Sequence, residues 1–216
     1  MSTYIRKARD PISSLTHMLG AVFFGAGTLV LLFKGLHVQA PPIDLLGAAV
    51  FGLSLIALYT ASAVYHFVPT GEQLIAKLRR LDHSMIYVLI AGSYTPILLH
   101  FFPAPYGTIY TGTIWGIAAL GILMRMLWFG APRWLYTGFY ILMGWFILID
   151  LSALAAMGPT TVALLVGGGV SYTLGGICYA LKWPNFSKHF GAHEFFHILV
   201  LLGSLQHYLI VLLMVL

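Results

Sequence analysis

Long apolar segments follow one another through most of this sequence, and they constrain the fold more than any other feature. Each segment holds about 20 residues, which is the length of a helix that crosses the hydrocarbon core of a bilayer. Pro and Gly residues separate the segments, and the gaps between them are short. Only 8% of the 216 residues are charged, whereas soluble domains carry about a quarter. The pattern therefore predicts an all-α membrane protein that forms a single domain.

We predict seven transmembrane helices that form one bundle over residues 1–216. Their expected bounds are 15–33, 45–67, 81–102, 107–129, 135–153, 160–181 and 191–215. The first segment is also open to interpretation as a signal peptide, because Val38-Gln39-Ala40 resembles a cleavage site. Its apolar stretch is long for a signal peptide, and cleavage would leave six spans, so the seven-helix prediction is preferred.

Basic residues predict the orientation of this bundle. Lys and Arg accumulate in the cytoplasmic loops of membrane proteins. If the N-terminus is cytoplasmic and seven spans alternate, ten of the eleven Lys and Arg residues fall on the cytoplasmic side, and Lys34 alone falls outside. The C-terminus is then outside. This orientation accounts for the net charge of +5, and no nucleic-acid partner is predicted.

Five polar residues fall at one predicted depth, near the cytoplasmic ends of three helices. Ser62 and His66 are one helical turn apart in the second span, and Asp82 lies near the start of the third. His193 and His197 are one turn apart at the start of the seventh. Three histidines with one open position form the ligand set of many catalytic zinc sites. We therefore predict Zn²⁺ bound by the three histidines; hydrogen bonding between helices is the alternative role for them.

The two remaining residues of this group are assigned catalytic roles. Zinc lowers the pKa of a coordinated water toward about 7. Asp82 is expected to hydrogen-bond that water and accept its proton. Ser62, one turn from His66, is expected to hold the water or a developing oxyanion.

Three further residues are placed around the predicted ligands. His17 lies near the start of the first span at a similar depth, and Tyr65 precedes His66. Glu194 completes the pattern H-E-x-x-H, in which the Glu of a metalloprotease is the general base. It lies about 100° around the helix from His193, however, and a carboxylate is also favoured at a helix N-terminus. His83, the neighbour of Asp82, is expected at the membrane interface.

These motifs together resemble the hemolysin III family, the bacterial branch of the progestin and adipoQ receptor family. The stretches that carry the resemblance are Thr16-His17-Met18-Leu19-Gly20, Ser62-Ala63-Val64-Tyr65-His66, Leu81-Asp82-His83-Ser84, Ala91-Gly92-Ser93-Tyr94-Thr95-Pro96, Leu142-Met143-Gly144-Trp145 and His193-Glu194-Phe195-Phe196-His197. The resemblance implies seven helices with a cytoplasmic N-terminus in the bacterial inner membrane. It also implies zinc on the three histidines, with Asp82 and Ser62 beside it.

The wider superfamily includes the alkaline ceramidases, which hydrolyse lipid amides. We therefore expect a zinc-dependent hydrolase of lipid amides or esters that acts near the inner leaflet, with membrane lipids as substrates. One alternative is a non-catalytic sensor, channel or haemolysin-like protein with a structural zinc ion. Another is an intramembrane metalloprotease that uses Glu194 as its base.

Overall fold

The computed structural model describes residues 7–128, 130–187 and 190–215, and the regular structure within these ranges is helical. The helices are α1 (Pro11–His37), α2 (Pro42–Phe67), α3 (Glu72–Phe101), α4 (Tyr106–Leu127), α5 (Arg133–Gly144), α6 (Ser152–Ala156), α7 (Pro159–Leu181) and α8 (Ala192–Met214). Six of them are long and apolar enough to cross a membrane, namely α1, α2, α3, α4, α7 and α8. The fold is thus a helical membrane bundle.

Large apolar side chains cover much of the outside of this bundle. Phe33, Leu120 and Leu142 are 71%, 68% and 73% exposed, although side chains of this kind are normally buried in a soluble protein. Contiguous apolar surface of this extent suits contact with lipid rather than with water. The exposed surface therefore agrees with the hydropathy of the sequence.

The helices form a closed arrangement in which neighbours in sequence are mostly neighbours in space. Helices α1 to α4 pack consecutively, α5 packs on α7, α7 packs on α8, and α8 returns to α1. Glycines allow the closest approaches. A Cβ added at Gly47 in α2 would lie 2.8 Å from the Cα of Pro96 in α3, and one added at Gly20 in α1 would lie 2.7 Å from a methyl carbon of Leu201 in α8.

The predicted span 135–153 is wrong as a single helix. Helix α5 ends at Gly144, a 3-10 turn covers Phe146–Ile149, and α6 follows as a separate short helix. The hydroxyl of Tyr94 in α3 closes the break, because it donates to the Gly144 carbonyl at 2.7 Å and accepts from the Ile147 N–H at 3.2 Å. Irregular backbone at membrane depth needs such internal partners. Hydropathy did not detect the break because the apolar composition continues through it.

The other six predicted segments coincide with observed helices to within a few residues, apart from the beginning of α3. That helix begins at Glu72 rather than near Leu81. Its first three turns carry Lys77, Arg79 and Arg80, the basic residues that the sequence places in a loop. These residues are therefore presented on a helix.

Candidate metal centre

The three predicted zinc ligands lie together in the structure. One ligand atom from each of His66, His193 and His197 falls within 4.8 Å of the others. The Nε2 atoms of His66 and His193 are 3.1 Å apart. In a tetrahedral site with metal–nitrogen bonds of about 2.0–2.1 Å, neighbouring nitrogens are about 3.3 Å apart. The spacing therefore fits two ligands of one ion with little rearrangement.

Helix ends bring these ligands together. His66 lies in the last turn of α2, and His193 and His197 lie in the first two turns of α8. Imidazole nitrogens are the preferred ligands of zinc, copper, iron and nickel. His66 and His197 are buried, with 3% and 1% exposure, and His193 is half-buried. The cluster can therefore hold a metal ion that is largely shielded from solvent.

Glu194 stabilises the beginning of α8. Its carboxylate accepts from the Gly191 N–H at 2.8 Å and from the Ser13 hydroxyl at 3.1 Å. The first contact is the Glu half of a capping box, and it satisfies the backbone N–H of the N-cap residue Gly191, which has no side chain to form the other half. The second contact joins α8 to α1. Glu194 thus has the helix-terminal role that the sequence offers as the alternative to a general base.

Asp10 belongs to this candidate site but was missed by the sequence analysis. Its carboxylate accepts from Nδ1 of His66 at 2.9 Å and from Nε of Arg9 at 2.9 Å. Its backbone N–H donates to the His66 carbonyl at 3.0 Å. The hydrogen bond from His66 lowers the pKa of Asp10 to about 2; partial burial opposes this shift, and Arg9 adds to it. The carboxylate is therefore ionised at neutral pH.

The hydrogen bond between Asp10 and His66 determines which nitrogen of His66 is free to bind a metal. Because the Asp10 carboxylate only accepts hydrogen bonds, the proton of neutral His66 lies on Nδ1. Nε2 then carries the lone pair, on the side that faces His193. A carboxylate that orients a ligating histidine in this way is common in metal sites. The feature of the sequence that could have identified Asp10 is its position just ahead of the first span, at the depth predicted for the histidines.

His17 and Tyr65 contact the ligands directly. The His17 ring stacks on His197, with ring centroids 3.6 Å apart and an interplanar angle of 11°. Among the residues that the structure describes, neither nitrogen of His17 has a hydrogen-bond partner. Tyr65 packs against His66 at 4.6 Å and lies under the Arg9 guanidinium at 4.4 Å. We call His17, His66, His193 and His197 the histidine cluster.

Asp82 and Ser62 line a cavity that adjoins the histidine cluster. The cavity has a volume of about 1460 Å³ including its open part, and His17, His193 and His197 also line it. Asp82 has the Ser62 hydroxyl as a hydrogen-bonding neighbour and lies within electrostatic range of His66. Most of the remaining lining is apolar, from α3, α5, α7 and α8. Four of the five residues predicted for the site therefore line one cavity, and His66 lies beside it through its contact with His193.

His83 faces the interior of the bundle rather than its surroundings, which the sequence did not predict. It is buried, with 7% exposure, and Nη2 of Arg125 donates to its Nδ1. Arg125 itself is only 1% exposed, and its guanidinium lies 4.4 Å from the centroid of the Tyr136 ring. His83 is buried because residues of α4 and α5 cover this face of α3.

Comparison with known proteins agrees with this fold. The model of the family described as "Haemolysin-III related" matches residues 5–208. The Hemolysin-3 homolog of Bacillus subtilis (strain 168) is 32% identical over 193 residues, which cover 89% of this chain and 87% of that protein. Hemolysin-3 of Bacillus cereus is 31% identical over 208 residues, which cover 94% and 90%.

A eukaryotic relative is more distant. An adiponectin receptor protein of Drosophila melanogaster is 27% identical over 222 residues, and the match covers 89% of this chain but 48% of the receptor. Both the family match and the two bacillary relatives extend over nearly the whole chain. This chain therefore belongs to the haemolysin-III-related family of membrane proteins.

Proposed function

We propose that this protein is a zinc-dependent hydrolase of lipid amides or esters. One observation carries the proposal. Three histidines with ligand atoms within 4.8 Å of one another adjoin a mainly apolar cavity whose lining includes Asp82 and Ser62. Metal ligands, an acid–base group and a hydroxyl donor thus meet where an acyl chain can be accommodated. A cavity of this kind is the usual location of a small-molecule site.

The proposal includes an orientation in the bacterial inner membrane. We infer seven crossings, of which the fifth consists of α5, the 3-10 turn and α6 in succession. The N-terminus is cytoplasmic and the C-terminus is outside, which is supported by the position of ten of the eleven basic residues on one side. The histidine cluster then lies near the inner leaflet, and substrate enters from that leaflet.

Each residue of the site has a chemical role in this proposal. His66, His193 and His197 hold the zinc ion, which when bound polarises a carbonyl and acidifies water. Asp82 accepts the proton of the attacking water and passes it to the leaving amine or alcohol. Ser62 donates a hydrogen bond to the carbonyl oxygen as negative charge develops on it. The apolar lining excludes bulk water, which strengthens both interactions.

The decisive experiment combines metal analysis with turnover. Wild-type protein in detergent is expected to contain one zinc ion per chain and to release fatty acid from at least one member of a panel of ceramides, N-acyl amides and phospholipid esters. Asp82→Asn is expected to keep its zinc and to lower kcat by about 10²–10⁴-fold, the usual contribution of an acid–base group. Asp44→Asn is the matched control, because Asp44 is also buried but bonds to His100, away from the centre.

Two results would overturn the proposal. The first is wild-type protein with a full zinc content that releases no fatty acid from any lipid of the panel. The second is Asp82→Asn protein that hydrolyses a lipid as fast as wild type does. Loss of zinc from Asp82→Asn would assign the carboxylate to metal binding and also contradict its role as the acid–base group.

A second candidate function is favoured by the contacts of His66. Through Asp10 and the histidines, the cluster joins α2, α8 and the segment that precedes α1. A zinc ion in such a position stabilises the fold directly. In a non-catalytic sensor, channel or haemolysin-like protein, removal of zinc lowers the thermal stability, and Asp82→Asn has no activity to remove. Metal analysis and the fatty-acid release assay therefore distinguish the two candidate functions.

A further inference from the structure

One histidine of α8 lies in the cavity far from the histidine cluster. His207 is buried, with 7% exposure, and it lines the same cavity as His193 and His197. It follows His197 by ten residues in the sequence, which places it about 15 Å farther along the helix. An ionisable side chain inside a membrane protein is costly and usually functional. His207 nevertheless takes no part in the metal centre or in the proposed chemistry.

Three consecutive glycines of α7, Gly167–Gly169, make room for the side chains of this region. A Cβ added at Gly168 would lie 2.5 Å from Nδ1 of His207, and one added at Gly167 would overlap the side-chain amide of Gln206. Glycine in a helix interior is destabilising relative to alanine. Helix stability is therefore given up here so that polar side chains of α8 can pack against α7.

One nitrogen of His207 is bonded to the protein and the other is not. Nδ1 donates to the Gly203 carbonyl at 3.0 Å, because a carbonyl oxygen can only accept. In the neutral ring Nε2 is then an acceptor. It has no hydrogen-bond partner among the residues that the structure describes. His207 thus offers a free lone pair to a ligand in the cavity that it lines.

Nε2 differs in this respect from the other polar side chains in this part of the cavity. Those side chains hydrogen-bond to protein groups, and they are Ser93, Tyr94, Trp145, Tyr172 and Thr173. Most of the remaining lining is apolar. A buried acceptor without a partner is destabilising. A ligand that donates a hydrogen bond to Nε2 would remove this cost.

The separation of His207 from the histidine cluster sets the length of such a ligand. Three bonds of an extended polypeptide cover about 3.3–3.6 Å, so an extended alkyl chain covers 15 Å in about twelve bonds. An acyl chain whose carbonyl lies at the histidine cluster therefore reaches His207 with about its twelfth carbon. A hydroxyl on that carbon can donate to Nε2, whereas a ketone presents only an acceptor.

We propose that the cavity recognises lipids whose acyl chain carries a hydroxyl group about twelve bonds from its carbonyl, and that this hydroxyl donates to Nε2 of His207. The inference rests on the proposed function for the position of the carbonyl, and it names the acyl chain that the site prefers. Binding is measured without turnover. Protein that prefers the hydroxylated chain but hydrolyses no lipid would contradict the hydrolase alone.

Native mass spectrometry of the full-length, zinc-loaded protein tests the proposal with four fatty acids of equal length. They are stearic acid, its derivative with the distal hydroxyl, the matching ketone and the β-hydroxy acid. The distal hydroxyl is expected to tighten binding about three- to tenfold relative to stearic acid, the factor that one neutral hydrogen bond provides. The ketone is expected to bind no more tightly than stearic acid.

Three results of this comparison would overturn the proposal. The first is equal binding of stearic acid and the acid with the distal hydroxyl. The second is a ketone that binds as tightly as that acid, since the cavity would then favour any polar group. The third is equally tight binding of the β-hydroxy acid, which would place the recognition at the histidine cluster.

Variants of His207 locate the preference. His207→Phe keeps a ring of similar size but removes the acceptor, so the hydroxylated chain and stearic acid should bind equally, with stearic acid within about twofold of wild type. Ser93→Ala is the matched control, because Ser93 also lines the cavity but donates to the Ile90 carbonyl. An equal loss of preference in Ser93→Ala, or an unchanged preference in His207→Phe, would contradict the assignment.

His207→Gln provides a test that a purely structural role would not affect, and it serves if His207→Phe does not fold. The glutamine amide offers both an acceptor and a donor. Binding of the ketone should therefore become tighter than binding of stearic acid, and the difference between hydroxyl and ketone should disappear. Continued discrimination against the ketone in His207→Gln would show that another group selects the hydroxyl.

Discussion

The histidine cluster and the pair formed by His83 and Arg125 are two polar regions of one bundle, yet they are built from different helices. The histidines come from α1, α2 and α8, whereas His83 and Arg125 come from α3 and α4. Neutral imidazole lone pairs attract a metal cation. The guanidinium of Arg125 is instead occupied within the bundle by His83 and the face of Tyr136. The difference separates a group of residues that can bind an ion from a pair that holds helices together.

The two regions are also held in place by different interactions. Hydrogen bonds orient the histidine cluster: His66 donates to Asp10, and Ser13 donates to Glu194 at the start of α8. Arg125 is held by the aromatic face of Tyr136 and by His83. Changes to the hydrogen bonds of the histidine cluster should therefore alter metal binding in proportion to how directly they touch a ligand.

The largest effect is expected from removal of a metal ligand. His197→Gln should lower zinc affinity by more than about 100-fold, because loss of a ligand exceeds the 10–100-fold effect of losing a group that only orients one. Elemental analysis measures the zinc content, and a cooperative thermal transition shows that the variant folds.

His37→Gln is the control, because His37 is an exposed histidine at the other end of α1. A full zinc content in His197→Gln would exclude the histidine cluster as the metal site.

A smaller effect is expected from Asp10→Asn. The amide keeps the size of the side chain but no longer holds the proton of His66 on Nδ1, so zinc affinity should fall by about 10–100-fold. Competition with a chelator of known affinity measures the change. Asp44→Asn makes the same exchange at the Asp44–His100 pair and should leave zinc affinity as it is in wild type. Unaltered zinc affinity in Asp10→Asn would mean that the carboxylate does not orient His66.

The smallest effect is expected from Glu194→Gln. The amide oxygen still accepts from the Gly191 N–H, and only the favourable charge at the helix N-terminus is lost, which is worth about 0.3–1 kcal/mol of stability. Zinc content and lipid hydrolysis should stay within about twofold of wild type. Thermal unfolding and the fatty-acid release assay check both expectations. Complete loss of hydrolysis with zinc retained would instead make Glu194 the general base of a metalloprotease-like site.

Helical spacing was sufficient to place His193 and His197 together, because residues four apart on a helix share a face. His66 and His17 were added to them only because they lie at a similar predicted depth. Asp10 could not be found in this way, since it reaches His66 from an irregular segment that has no periodicity. Arg125 was assigned to orientation, because an arginine near a helix end usually extends to the interface. Its burial depends on the Tyr136 ring and on His83, which lie on other helices.

The sequence by itself determined that this is a membrane protein and which segments are long and apolar enough to form its helices. Apolar length, sparse charge and the side on which basic residues fall are local properties, and the free energy of transfer into lipid depends on little else. It also determined which residues can bind a metal. Only the tertiary structure decided that α5 ends at Gly144, because the hydroxyl of Tyr94 that satisfies the broken backbone comes from a distant part of the chain. Packing likewise placed Arg125 against His83 and Tyr136, since contacts between helices depend on the shapes of surfaces that hydropathy does not describe.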